Sequence, residues 1–329
     1  MVSQLFLEKM SSPGDVGNLT STQNATMLIL ASNETTPAYL STVILAMGLS
    51  ASVSIFFFTV FKRCPQIREK ARFILLVCIV ASETFYFFTL SIISAFSVFS
   101  WHLTYLSCSF LRVLSSAAGS AELYSVAAMC LDRYMAVCYP LLYDTICSYH
   151  NILRVVVTIF LMPLLLPFII FILQNSLLSR DKVLGLVDAC SFDRLEVYPW
   201  MTTVRMVLFS GQFIACFLII SGSYVLVVKE GMRVGSISSV NLRARRTLTF
   251  HMIQLTLYVM PVVVYVIYYS LLREELANNN VLSQIYTFNT IVFTFGQVIN
   301  PIVYGLRADE VKPFLPTWLR RSQRVSTLT

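Results

Sequence analysis

Seven stretches of the chain are almost wholly apolar, at 38–61, 73–98, 107–132, 152–174, 201–228, 247–272 and 281–305, with short polar runs between them. Each is long enough to cross a hydrocarbon core of roughly 30 Å as a helix. A soluble helix of that length shows a polar face, and most of these stretches have none. The pattern predicts an all-α membrane protein: a seven-transmembrane helix bundle over 38–305, a tail at 1–37 before it and a tail at 306–329 after it.

Composition agrees. The chain is 57% hydrophobic and 12% charged, against about 25% charged in soluble domains. The net charge of +7 would fit a nucleic-acid partner, but its distribution excludes one. With the N-terminus outside, every Lys and Arg falls on an inner segment or inner helix end except Lys9, Arg112, Arg180, Lys182, Arg194, Arg205 and Arg273. This is the positive-inside bias, and it predicts an outer N-terminus with inner loops attracted to anionic membrane lipids. Three sequons at Asn18, Asn24 and Asn33 lie in the outer tail and are expected to carry glycans. No basic, apolar and small-residue leader precedes them, so the first span is expected to act as an uncleaved signal anchor.

Of eight cysteines, only Cys108 and Cys190 fall on the predicted oxidising side, where one disulfide would tether the loop after the fourth span to the top of the third. Cys64, Cys130, Cys138 and Cys147 lie at or near the inner side, and Cys78 and Cys216 within spans. None forms a CxxC or a Cys/His cluster, so no metal site is expected there. No nucleophile elbow, phosphate loop or Ser/Cys–His pattern appears, which argues against an enzyme. A transporter would show internal repeats or matched interrupted helices, and the seven dissimilar spans show neither.

Charge at bilayer depth is costly and so marks function. The third span ends in Met129-Cys130-Leu131-Asp132-Arg133-Tyr134-Met135-Ala136-Val137-Cys138-Tyr139-Pro140-Leu141, and the seventh in Asn300-Pro301-Ile302-Val303-Tyr304. Seven spans with these two motifs, and Cys108 placed 25 residues before Arg133, resemble the rhodopsin-like (class A) G-protein-coupled receptors over about 38–315. The flanks of the Asp-Arg-Tyr triplet, with Ser223-Tyr224, Arg243-Ala244, Thr247 and His251, resemble odorant receptors, most of all those of teleost fish. The resemblance implies a multi-pass plasma-membrane receptor. Such a receptor binds a small organic odorant in the outer half of the bundle and activates a heterotrimeric G protein of the stimulatory, olfactory type. A non-olfactory class A receptor for a peptide or lipid is the alternative.

It also implies roles. Asp132 pairs with Arg133 at rest; the freed Arg133 meets Tyr224 and the G-protein tail, and Tyr304 swings towards the same space, with Tyr134, Asn300 and Pro301 completing the switch. The bland alternative for Arg133 is a helix end anchored to headgroups. Glu83 and Glu122 are expected to face each other near Asn300 as an ion or proton pocket, holding sodium as an allosteric ligand or sharing one proton. The alternative is satisfaction by the Ser82 or Ser125 hydroxyls. Departures are plain: no Asn in the first span, Glu83 in place of Asp, no Trp in the fourth span, and Tyr258-Val259-Met260 before Pro261 where the family has Cys-Trp-x. Pro261 and Pro301 permit kinks; Pro163 and Pro167 give shape.

For the ligand, Arg112, Ser115, Ser116 and Gly119 form an i, i+3, i+4, i+7 stripe that faces the bundle in the family. Ser115 stands where amine receptors hold an acid, and Thr294 where opsins hold the retinal lysine. Arg205, Tyr265, Tyr268, Tyr286, Asn289 and Thr290 stand available opposite. Arg112 and Arg205 would grip an acidic head group; alternatively they pair with Asp188, Asp193 or Glu196. After the seventh span, Leu306–Arg321 reads as a short amphipathic helix on the inner leaflet, interrupted by Pro313 and Pro316.

Overall fold

The computed structural model describes residues 37–64, 70–187, 190, 199–233, 256, 260, 263–264, 267, 281, 284–285, 287–296 and 299. In chain order the elements are α1 (Pro37–Arg63), α2 (Ala71–Val98), β1 (Leu103–Thr104), α3 (Tyr105–Cys138), α4 (Pro140–Ile146), α5 (Tyr149–Leu177), α6 (Arg180–Leu184), β2 (Leu186–Val187) and α7 (Pro199–Arg233). Further helical backbone runs through 287–296. Helices α1, α2, α3, α5 and α7 thus occupy the first five predicted spans.

Four of them, over Tyr39–Arg63, Ala71–Val98, Tyr149–Leu177 and Val207–Glu230, are long and apolar enough to cross a membrane. Helix α3 is equally long but carries Arg112, Glu122, Asp132 and Arg133 on a serine-rich sequence. It is also the hub, packing against α2, α5 and α7, while α1 packs on α2. The charged helix is thereby packed against three other long helices.

Local signals explain the ends. Pro37 opens α1, where its missing N–H costs nothing, and Lys62 and Arg63 sit in its last turn against the negative end of the dipole. Thr104 caps α3, its side chain accepting from the Ser107 N–H. One expectation needs correction: α3 does not end at the Asp132-Arg133-Tyr134 triplet but runs on to Cys138. Met135 to Cys138 still suit a helix, and the break comes at Tyr139, whose φ of −133° and ψ of 56° lie outside the helical region that the following proline disfavours. Pro140 then opens α4, which the hydrophobic pattern did not resolve from loop.

The largest core cluster lies towards the triplet end, where Phe57 and Val60 of α1 meet Leu75, Ile79 and Val80 of α2, Ala121, Val126 and Met129 of α3, Ile159 of α5 and Ile220 of α7. Hydroxyls cross the α1–α2 seam. Ser50 and Ser54 lie 2.9 Å and 2.7 Å from the Thr84 hydroxyl, and Ser54 and Thr84 both donate to the Val80 carbonyl. Most of α5 faces outward, with Leu161, Met162, Leu165, Phe168 and Ile169 exposed as lipid-facing side chains. Its internal prolines lie elsewhere: Pro163 is buried and Pro167 half-buried, on the side that meets α3.

At the other end the chain folds back on itself. Strands β1 and β2 pair antiparallel, Leu103 opposite Val187 and Thr104 opposite Leu186, and the Tyr105 N–H donates to the Gly185 carbonyl at 2.9 Å. Cys108 and Cys190 form the expected disulfide, 82 positions apart in sequence with Cα atoms 5.5 Å apart. Both cysteines are buried with Ile93 and Tyr105. Replacing both cysteines by serine is expected to lower stability by about 2–4 kcal/mol, read as a drop in the thermal midpoint of the purified protein that reductant reproduces in the wild type.

Candidate functional site

Three polar zones line α3 from end to end. At the triplet end the Asp132 carboxyl is 6% exposed. The Tyr143 hydroxyl of α4 donates to its Oδ1 at 2.8 Å. The guanidiniums of Arg133 and of Arg72 on α2 are near enough to act on the same carboxyl electrostatically. Burial, the hydrogen bond and the neighbouring carboxylate all push the Tyr143 phenol above its usual range, and so it stays a donor. Arg133 and Tyr134 are half-buried, and Tyr134 meets Tyr139 edge-on with centroids 5.7 Å apart. On α7, Ser223 is buried and Tyr224 half-buried. Asn300, Pro301 and Tyr304 lie outside the described residues.

Sequence reasoning missed Tyr143 and Arg72. The available signal was Pro140, which marks a helix start; a helix there turns one side of α4 back onto α3. The other side faces away from the bundle, with Leu141 96% exposed and Leu142 and Ile146 exposed beside it.

Midway along the bundle Glu83 of α2 is 0% exposed and Glu122 of α3 is 1% exposed, and the charge of Glu122 acts on the Glu83 carboxyl. Neither Glu83 oxygen has a hydrogen-bond partner. Ser125 donates instead to the Ala121 carbonyl at 2.7 Å, and the Ser82 hydroxyl has no hydrogen-bond partner, so neither hydroxyl satisfies Glu83. Ser50 of α1 approaches Glu83 short of hydrogen-bonding geometry. Two buried carboxyls, with both Glu83 oxygens orphaned, can hold a hard cation or share a proton. No group of three His, Cys, Asp or Glu side chains converges among the described residues.

At the disulfide end Arg112 is 5% exposed. Its Nε donates to the Cys190 carbonyl at 2.7 Å, and a second guanidinium nitrogen donates to the same oxygen. The overlying loop thus does receive this arginine, through a backbone carbonyl; Asp188, Asp193 and Glu196 lie outside the described residues. Ser115 is buried and Ser116 half-buried; Gly119 lies against Tyr86, whose ring carbons would sit 3.5 Å from an added Cβ. Arg205, Asn289 and Thr290 are half-buried on α7 and on the 287–296 helix, and Thr294 is buried. Tyr265, Tyr268 and Tyr286 lie outside the described residues, as do Asn18, Asn24, Asn33, Pro261 and the segment 306–321. The structure adds Gln212 on α7, whose Nε2 is buried without a hydrogen-bond partner, as is Asn289 Oδ1. A glutamine in an apolar span was the sequence signal for it.

The family described as 7 transmembrane receptor (rhodopsin family) matches residues 40–304. Relatives include Olfactory receptor 6Q1 of Homo sapiens, 27% identical over 224 residues, covering 64% of this chain and 66% of that protein. Odorant receptor 131-2 of Danio rerio is 25% identical over 208 residues, 62% of this chain and 61% of that protein. Olfactory receptor 4K13 of Homo sapiens is 30% identical over 224 residues, 65% and 67% of the two chains. The matches span roughly three-fifths to two-thirds of these relatives' length. A family match running from the first helix to Tyr304, on a bundle whose third helix carries the charged triplet, places the chain: it belongs to the rhodopsin family of seven-transmembrane receptors, as a multi-pass receptor of the plasma membrane and not an enzyme.

Proposed function

We propose that this receptor is chemosensory, of the odorant type, with its N-terminus and disulfide end outside and its Asp132 end in the cytoplasm. A small organic odorant binds in the outer half of the bundle, and Arg133 transmits occupancy to a heterotrimeric G protein of the stimulatory, olfactory type. The observation that carries this reading is buried Asp132 beside half-buried Arg133 at one end of the hub helix, joined by a hydrogen bond to α4 with its outward Leu141. A merely anchored helix end would have no reason to bury an acid there. The olfactory and odorant names of the relatives point to the same ligand class.

An acidic odorant fits the outer half best. Two arginines lie on the outer portions of α3 and α7, where a carboxylate or sulfate would gain charge-assisted hydrogen bonds in a dry setting. Replacing Arg112 would also take its hydrogen bonds from the Cys190 carbonyl, so Arg205 is the contact to test. Between pocket and switch, the coupled acids Glu83 and Glu122 act as an allosteric ion or proton pocket. The orphaned Glu83 oxygens suit sodium, which would supply charge neutralisation there; one proton shared by the pair is the other form of the same site.

Three outcomes are expected. In cells with a cAMP reporter and the olfactory-type G protein, some odorant among acids, amino acids and alcohols raises cAMP. Arg133→Ala abolishes that response at unchanged surface expression; ionic current or uptake with no G protein present would instead establish transport. Arg205→Ala is expected to weaken acidic agonists roughly 10- to 100-fold, the worth of a hydrogen bond to a charged group, and unchanged potency of every acidic agonist refutes the acidic-ligand reading. Sodium is expected to raise the thermal midpoint of purified receptor, and Glu83→Gln to remove that rise. A wild type indifferent to sodium but sensitive to pH leaves the proton version standing.

A further inference from the structure

Cys190 is held to α3 twice over. Its sulfur is bonded to that of Cys108. Arg112, one helical turn further along α3, donates to its backbone carbonyl through Nε at 2.7 Å and through a second guanidinium nitrogen. Positions i and i+4 share a helix face, so both side chains reach the same residue from one side. Cys108, Arg112 and Cys190 are all buried. The preceding stretch of the loop rests on the same end of α3, where β1 pairs with β2 and the Tyr105 N–H donates to the Gly185 carbonyl at 2.9 Å. Tyr105 is in turn fixed by Gln174 of α5, whose side-chain amide donates to its hydroxyl.

The two holds differ in chemistry. A disulfide is covalent but opens by exchange with a thiol. A guanidinium-to-carbonyl hydrogen bond is indifferent to thiols. It also acts on the backbone, so it fixes the path of the chain whatever becomes of the Cys190 sulfur. A hydrogen bond from a charged group is worth roughly 10- to 100-fold in an equilibrium, enough to keep a short loop segment seated once the covalent bond is gone.

We propose that Arg112 is a positioning residue: a second fastening, proof against reduction, that keeps the loop seated on α3 when the disulfide is open. It serves the ligand site through the loop and leaves an acidic head group to Arg205. That consequence for the ligand rests on the reading of the outer half as the odorant site; the fastening itself does not. Acidic and neutral odorants then depend on Arg112 alike.

The test uses the full-length receptor in two measurements. In lipid nanodiscs without ligand or G protein, amide exchange is followed over 103–105 and 186–187. With the disulfide intact, Arg112→Ala is expected to change that exchange little. In the Cys108→Ser/Cys190→Ser background it is expected to quicken it roughly 10- to 100-fold, and Arg112→Lys, a cation with a single donor head, to restore part of the protection. Receptor folded with its disulfide and then reduced, with and without Arg112→Ala, gives the same comparison where the double-serine variant does not fold. No effect of Arg112→Ala once the disulfide is gone overturns the proposal. In the cAMP assay at matched surface expression, cells are treated with a membrane-impermeant reductant. The wild type is expected to keep its response, and Arg112→Ala to lose potency for acidic and neutral odorants by the same factor. A wild type that fails on reduction as fully as Arg112→Ala overturns the proposal, as does a loss confined to acidic odorants, which would make Arg112 a ligand contact. A receptor that answers no odorant sinks the chemosensory reading instead, and amide exchange then decides the fastening by itself.

Discussion

Helix α3 is fixed at both ends by polar contacts that hydrocarbon cannot replace. At one end the buried Arg112 guanidinium grips the backbone carbonyl of Cys190, beside the disulfide that ties the same two segments. At the other, buried Asp132 takes a hydrogen bond from Tyr143. Apolar surface cannot supply this kind of placement in a membrane, because lipid tails are as apolar as leucine and pay no penalty for covering it. Contacts with direction must choose the neighbours. Among the described residues, such contacts stand at both ends of the helix that packs on α2, α5 and α7.

The same constraint explains the seam between α1 and α2, where Ser50, Ser54 and Thr84 share hydroxyls and one backbone carbonyl. Small polar side chains let the helices approach and give the contact a register. It also explains why Glu83 and Glu122 stand out. Both are enclosed, and with the Glu83 oxygens lacking a hydrogen-bond partner they are a part of the interior that packing alone leaves unfinished. Structure and switching are thus served by one class of interaction, used complete in some places and incomplete in another.

Much of this was legible in the sequence, and the reason is the bilayer. Its thickness sets span length, so the apolar runs located helices α1, α2, α3, α5 and α7, though α3 and α7 run on past the predicted ends. The intramembrane acids and arginines named the polar zones because charge is rare there. What stayed hidden depended on groups with no sequence label. Arg112 binds a backbone carbonyl, which every residue offers. Strands of two residues, β1 and β2, are too short to leave an alternating pattern. That Tyr86 of α2 is the neighbour of Gly119 was also hidden, because helical spacing fixes a face but not which partner covers it. The end of α3 was misjudged because a conspicuous triplet was read as a boundary, when the stop signal was Pro140.

The two prolines inside α5 bear on how the protein is made. Each deprives the carbonyl four residues earlier of its donor, at Ile159 and at Pro163. Both of those residues are buried, so the backbone deficit faces the bundle while the outward surface remains hydrocarbon-like. An isolated α5 entering the bilayer would carry two unmet carbonyls into lipid, each costing several kcal/mol until neighbours or ordered water cover it. Its residence in the membrane is therefore completed by docking on α3, and biogenesis of the fourth span is tied to the prior arrival of the third.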